Sequence, residues 1–253
     1  MRKEMSCSFA RNISLSCLIL FLISLSGNAQ RQRSDLRYFY SGIYESIRET
    51  YGFDQELVNG VFFMNRYLKA LGHPFLWEDQ FVKGTLVYHH KVYNELMMKY
   101  DIYEQKLLIN YHFDDKQVTF LAINEFITEF RFDGKLFRYF SFHDMKPAFF
   151  QVISGDHELK CLYYWYKDRR ESNHNRTFSS YEFSESLRKS YLLMQDKLIP
   201  FRNNRTFVKS FPFEVQDQIS KYMRSKKIKV RTCDDNIMLQ LMNYCNKLVL
   251  QQV

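Results

Sequence analysis

Glycine and proline are scarce in this 253-residue chain, at 8 and 4 residues. That excludes a collagen-like repeat, a Gly-rich adhesin and a Pro-rich disordered linker. Catalytic signatures are missing as well: the sequence holds no HExxH, no G-x-S-x-G, no Gly-rich phosphate loop and no CxxC. No apolar run reaches the about 20 residues that a membrane-spanning helix needs. The best candidate, ISLSCLILFLISLS at 13–26, is shorter and broken by serines. Cysteine is sparse too. Only Cys161, Cys233 and Cys245 lie beyond residue 30, and an odd count argues against a disulfide framework. Cys233 and Cys245 are close enough in sequence to pair, but buried free thiols acting as small hydrophobes fit as well.

Aromatic residues are plentiful, at 17% with 24 Phe and 18 Tyr. Phe and Tyr suit a pleated, half-buried surface, so the composition favours sheet. The length allows a sizeable core.

The amino terminus reads as a signal peptide over residues 1–29. MRKEMSCSFAR is a basic opening, the serine-broken apolar run follows, and GNAQ places Gly27 and Ala29 at the −3 and −1 positions of a cleavage before Gln30. Cys17 follows SLS but sits inside the apolar run, which argues against acylation there. The expectation is a secreted or periplasmic protein with no transmembrane anchor after cleavage. Losing Arg2, Lys3, Arg11 and Glu4 lowers the formal net charge of +8 by two. The remaining cations are dispersed, apart from RSKKIKVR at 224–231. Lys and Arg at a helix C-terminus favour the dipole there. An anionic envelope partner is the functional alternative, and nucleic acid is not expected outside the cell.

Three segments follow, expected to form one domain. Residues 30–83 hold an N-terminal helix, with Leu36, Tyr40, Ile43 and Ile47 at helical spacing in 34–51, and then turn signals. Residues 84–202 alternate with period two. Strands are expected near 84–89, 92–102, 106–113, 117–123, 126–132 and 135–140, followed by more ragged ones through AFFQVI, HELKCLYYWYK, KSYLLM and LIPFR. Asp133-Gly134, between FRF and KLF, is the strongest hairpin signal. Short connections imply a β-meander, with neighbours in sequence adjacent in the sheet. Residues 203–253 turn helical, with Val215, Ile219 and Tyr222 on one stripe and Ile237, Leu241, Cys245 and Leu248 on another. The fold class is therefore α+β, mainly antiparallel β: a curved meander, half-barrel or sandwich-like, flanked by an N-terminal helix and two C-terminal helices.

YNELMMKYDIYEQKLLINYHF, at 93–113, shows the pattern best. Leu96, Met98, Tyr100 and Ile102 share a face, and Tyr93, Glu95, Lys99, Asp101 and Tyr103 take the other. The even face is expected to be core, with a ligand-lined concavity as the alternative.

The order LVNG, GHPF, then GTLVYHHKVYNELMMKYD resembles a group of uncharacterised secreted, β-rich proteins typical of Bacteroidetes. Asn59, Gly60, Gly72, His73, Pro74, Phe75, Gly84, Tyr93, Tyr100 and Asp101 occupy the matching positions. LVNG lacks that group's usual aromatic before Asn, and HHK replaces its Gly-containing turn. The resemblance implies export and a β-rich fold, and no activity.

No catalytic, metal or cofactor residue is assigned. Adjacent His89 and His90 on a strand would face opposite ways, so a turn before Val92 is the simpler reading. His73 in GHPF reads as a turn residue. Asp101 reads as a carboxylate accepting from turn N–H groups. His143-Asp144 and His157-Glu158 are loop pairs. Asn175 and Asn204 open NRT sequons that matter only where glycosylation machinery exists. The expected function is non-enzymatic binding of an apolar or amphipathic ligand, or of a protein partner, on a concave aromatic face. The alternative is an assembly accessory docking on another envelope component. A hydrolase is third.

Overall fold

The computed structural model describes residues 61–113, 116–153, 159–172 and 180–250. The signal peptide and the helix at 34–51 lie outside them, as do Asn59, Gly60, His157, Glu158 and Asn175. The described residues belong to one compact unit, Gln55–Val253.

The strands, in chain order, are β1 (Val61–Phe62), β2 (Val82–Tyr88), β3 (Lys91–Asp101), β4 (Lys106–Phe113), β5 (Lys116–Leu121), β6 (Ile127–Phe132) and β7 (Lys135–Phe142). Then come β8 (Met145–Val152), β9 (Lys160–Tyr166), β10 (Arg169–Ser172), β11 (Ser180–Phe183), β12 (Leu187–Met194) and β13 (Lys197–Phe201). Eleven of them form one antiparallel sheet in the order β1-β5-β4-β3-β2-β6-β7-β8-β9-β12-β13, which does not close. β10 and β11 pair as a separate ribbon within what reads as a polar loop.

Among the described residues, three hairpins turn through two residues at positive φ: His89-His90 at 47° and 64°, Asp133-Gly134 at 48° and 70°, and Gln195-Asp196 at 48° and 59°. Positive φ at both positions matches the right-handed twist of the flanking strands. Asp133-Gly134 is the hairpin that the sequence predicts, and His89-His90 is a turn.

The simple meander fails where β9 pairs with β12, β10 and β11 having left the sheet, where β1 lies on β5, and most sharply between β5 and β6. β6 pairs with β2 and not with β5. The chain leaves β5, crosses through 122–126, and restarts on the far side of β2. The Ala122 N–H donates to the Leu107 carbonyl (2.9 Å), and the His89 N–H to the Phe126 carbonyl (3.0 Å), so both ends of the crossing are pinned.

Inside the curl lies the first core. Tyr100, Phe130, Phe137 and Phe149 are fully buried, with ring centroids 4.9–5.8 Å apart in mostly edge-to-face contacts. The Tyr100 hydroxyl donates to Gln105 Oε1 at 2.6 Å. Gln105 Nε2 in turn donates to the carbonyls of Ile102 (2.8 Å) and Trp165 (2.9 Å), tying the β3–β4 turn to β9.

The even face of β3 is core as expected, but Tyr93 packs on that core as well. A bulge explains the exchange. Gly84 pairs with Leu96 and Leu86 with Tyr93, which leaves an extra residue on β3, and Glu95 stands at φ 58°. The extra residue swaps the faces upstream of it. Nor is the second face of β3 open: Lys99 and Asp101 are buried. The segment before β2 lies against it, with the Lys99 ammonium 4.5 Å from the Phe75 ring and 4.4 Å from that of Phe81, and paired with Asp79.

Three helices follow the sheet where two were expected: α1 (Asn204–Lys209), α2 (Phe213–Ser225) and α3 (Asp235–Leu250). The extra one, α1, is short and opened by a capping box between Asn203 and Thr206. Ser210 closes α1, and Pro212 stands at the N-cap of α2. The buried stripe of α3 is Met238, Leu241, Met242 and Cys245, and Ile237 is turned out to 36% exposure. Helices and sheet share a second core, with Phe207, Ile219 and Leu241 facing Cys161, Tyr163 and Leu192.

Two stability outcomes follow. Tyr100→Ala costs about 3 kcal/mol or more in urea unfolding, as a large cavity does, and Tyr100→Phe only about 1 kcal/mol for the lost hydroxyl bond. Equal costs would mean that the hydroxyl, not the ring, holds the core. Gly84→Ala lowers the melting temperature, because a Cβ there runs into the Arg131 carbonyl and the Met98 methyl. An unchanged melting temperature would show that β2 and β6 separate freely.

Candidate functional site

A cleft of about 680 Å³ opens where the β6–β7 turn, β8, β9 and the first turn of α3 meet. Both tryptophans of the chain, Trp77 and Trp165, line it. Their rings meet edge to face at 6.1 Å, and Trp77 stacks on Phe132 from the core side at 5.8 Å.

A chain of polar contacts crosses the cleft. Trp165 Nε1–H donates to Gln151 Oε1 (2.8 Å), and Gln151 Nε2 donates to Asp235 Oδ2 (2.7 Å). Lys135 Nζ donates to the same oxygen (2.9 Å) and lies 5.5 Å from the Trp77 ring. Strand alternation turns Gln151 toward the helices, and the tight Asp133-Gly134 turn delivers Lys135 to the same place. Asp234 caps α3, its Oδ1 accepting from the Ile237 N–H at 2.8 Å.

Beside Trp165, its cross-strand partner, the Arg188 guanidinium lies 5.8 Å from the indole and 3.9 Å from the Tyr163 ring, and donates to the Arg231 carbonyl at 3.3 Å. Arg131 also lines the cleft and is exposed. Cys233 is half-buried there, and burial raises its thiol pKa. All three cysteines beyond residue 30 are free; burial pushes Cys245 up to about 12 and Cys161 further. These thiols are protonated at neutral pH and poor nucleophiles. Among the described residues, no three His, Cys, Asp or Glu side chains gather as a metal site.

No protein-family model, no curated protein and no solved structure matches the chain.

The residues prominent in the sequence sit elsewhere. His73 stacks on Phe75 at 5.9 Å, and its carbonyl accepts from the Lys167 ammonium at 2.8 Å. Burial, and then that ammonium, lower its pKa, so the ring is neutral. The Pro74 carbonyl accepts from the Ile102 N–H, so the Gly-His-Pro-Phe turn is laid against the end of β3. Asn204 spends its side-chain amide on the 228–230 backbone, donating to the Ile228 carbonyl (2.7 Å) and accepting from the Val230 N–H (3.0 Å). His143 and Asp144 are an exposed hairpin turn. The cleft residues Trp77, Gln151, Trp165 and Arg188 carry no motif. The sole sequence signal was that Trp77 and Trp165 are the chain's only tryptophans.

Asp101 behaves as the sequence suggests, its Oδ1 accepting from the N–H groups of Tyr103 (2.9 Å) and Glu104 (2.7 Å). Burial nevertheless raises its pKa from 3.8 to about 7, outweighing those two bonds. A carboxyl raised on folding favours the fold while protonated. That contribution is complete below about pH 4 and lost as the pH rises through about 7. Asn keeps the accepting oxygen and does not ionise. Between pH 5 and pH 8 the native protein should therefore lose about 2–3 kcal/mol more stability than Asp101→Asn. Denaturant titrations at both pH values read this difference, and parallel losses would place Asp101 in a solvated setting.

Proposed function

We propose that this chain is an exported, non-enzymatic binding protein of the periplasm or cell exterior, and that the Trp77–Trp165 cleft takes an amphipathic ligand. The signal-peptide pattern and the Bacteroidetes resemblance support export. The observation that carries binding is the cleft itself. Its volume of about 680 Å³ lies within the range of about 300–1,000 Å³ typical of small-molecule sites. It pairs aromatic faces with a few fixed polar groups, the usual division between affinity and orientation. The curled sheet's concave face offers no such room, because Tyr100, Phe130, Phe137 and Phe149 fill it.

Docking on another envelope component is the second reading. It draws on the opposite face of β7–β12, where Phe140, Phe142, Tyr164 and Tyr191 are only partly buried. Those rings pack on one another and on Phe150, which makes the face a lid over its own sheet as much as a landing surface.

Both indoles stand in the cleft, so tryptophan emission reports its occupancy. Titration of residues 30–253 with fatty acids, aromatic acids and short oligosaccharides should give a saturable emission change with at least one class. Leu239→Arg, which fills the cleft from an exposed position on α3, should abolish it. A change that survives Leu239→Arg would move the site elsewhere, and no change with any class would favour docking.

A further inference from the structure

Strand register sets four side chains of this region on one face of the sheet. Arg188 is the cross-strand partner of Trp165, Gln151 is that of Tyr163, and Tyr163 and Trp165 stand two residues apart on β9. This is the face that packs on the helices, and Gln151 reaches Asp235 at the start of α3 from it.

The charges around this face balance in number but not in place. Lys135 and Arg188 stand with Asp234 and Asp235, and the one ion pair among them is Lys135–Asp235. Arg188 is half-buried, yet it has no carboxylate within 4.0 Å among the described residues. It uses one bond, to the Arg231 carbonyl, and a guanidinium carries five N–H donors. Toward α3, Lys135 and Gln151 both donate to Asp235 Oδ2, which leaves Oδ1 with no bond among the described residues. A purely apolar occupant would strip water from those donors and from that oxygen and give nothing back. A lone anion would suit Arg188 but meet the repulsion of Asp234 and Asp235, and a lone cation would meet the reverse.

We infer that the cleft binds a short zwitterionic peptide with apolar side chains, its carboxylate on Arg188 and its ammonium on Asp235. This rests on the binding function proposed above. Such a ligand meets each free group with its opposite charge, and the guanidinium fork matches a carboxylate. The spacing agrees. Register separates Gln151, which holds Asp235, from Arg188 by two strand spacings and two residues, about 12 Å between Cα atoms. A dipeptide spans up to about 7 Å, and a charge-assisted bond at either end adds about 2.8 Å. Between the two ends, Trp165, Ile153 and Leu239 offer hydrocarbon to the side chains, the Trp165 N–H being already held by Gln151. A fatty acid supplies the carboxylate and the hydrocarbon but leaves Asp235 Oδ1 unmet.

The test titrates leucyl-leucine, its N-acetyl derivative, its C-terminal amide and lauric acid against tryptophan emission. Leucyl-leucine should bind saturably and at least about tenfold more tightly than either blocked form, because each block removes one charge-assisted bond. Arg188→Met keeps a long side chain over Tyr163 and removes the donors. It should lower leucyl-leucine affinity about tenfold or more and bring it level with that of the amide. The blocked peptides are compared on the native protein, which keeps the inference testable if Arg188→Met unfolds. Binding of either blocked form as tight as that of leucyl-leucine, or a preference for the free carboxylate that survives Arg188→Met, would overturn the inference. Lauric acid binding without leucyl-leucine would overturn it while leaving the binding function standing. Silence from all four would remove the peptide and count against the binding function too.

Discussion

Five residues, 122–126, must carry the chain from the end of β5 to the start of β6. Every pairing between them is antiparallel, through β4, β3 and β2, so β5 and β6 run the same way. In a flat sheet the two ends would stand four strand spacings apart, about 19 Å, and a strand length apart along the axis, in total more than about 25 Å. Five residues that include a 3-10 turn reach less than about 20 Å. The sheet therefore has to curl until Leu107 and His89 come within reach of one short crossing. The bulge at Glu95 and the side-chain-free Gly84 opposite it lie on the strands that bend. Bulges and glycines are the usual means by which a sheet bends.

That curl decides where a ligand can go. Once β2–β8 wrap around Tyr100, the concave side is a close-packed aromatic interior. Nothing larger than the side chains already present fits there without a cost of several kcal/mol. The helices cover β9, β12 and β13 with a separate core. Space survives where the two cores meet, at the rim between the Asp133-Gly134 hairpin and the start of α3. The cleft is thus a by-product of joining a curled sheet to a helical cap, and the residues that line it come from six separate parts of the chain.

Local signals were legible in the sequence where the cause is local. Asp133-Gly134 turns because only residues tolerant of positive φ fit there. Asp101 binds turn N–H groups two and three residues away. The six early strands lie within a few residues of their expected places. What escaped depends on distant partners. The β2–β6 pairing, the β10–β11 ribbon and the swapped face of Tyr93 have no local mark, since a bulge appears only once two strands are paired. The six residues of α1 are too few for a helical period to show. The cleft was less legible still. Asp234 and Asp235 open DDNIMLQLMNYCNKLVL where carboxylates suit a helix N-terminus, but nothing near them points to Gln151, Lys135 or Trp165.

The polar chain from Trp165 through Gln151 to Asp235 is easy to mistake for the clamp that holds α3. The magnitudes say otherwise. Lys135 and Asp235 are each 31% exposed, and a partly solvated pair of this kind contributes up to about 1 kcal/mol. The stripe of Met238, Leu241, Met242 and Cys245 is fully buried, and each of the larger side chains contributes about 1.5–3 kcal/mol. Apolar packing therefore keeps α3 on the sheet whether or not the polar chain is made. What the chain does fix is orientation. It sets the Gln151 amide, points the Trp165 N–H away from the opening, and leaves one Asp235 oxygen free. Side chains held at so little gain in stability, on rigid elements and beside open volume, are the feature from which the proposed binding function draws its support.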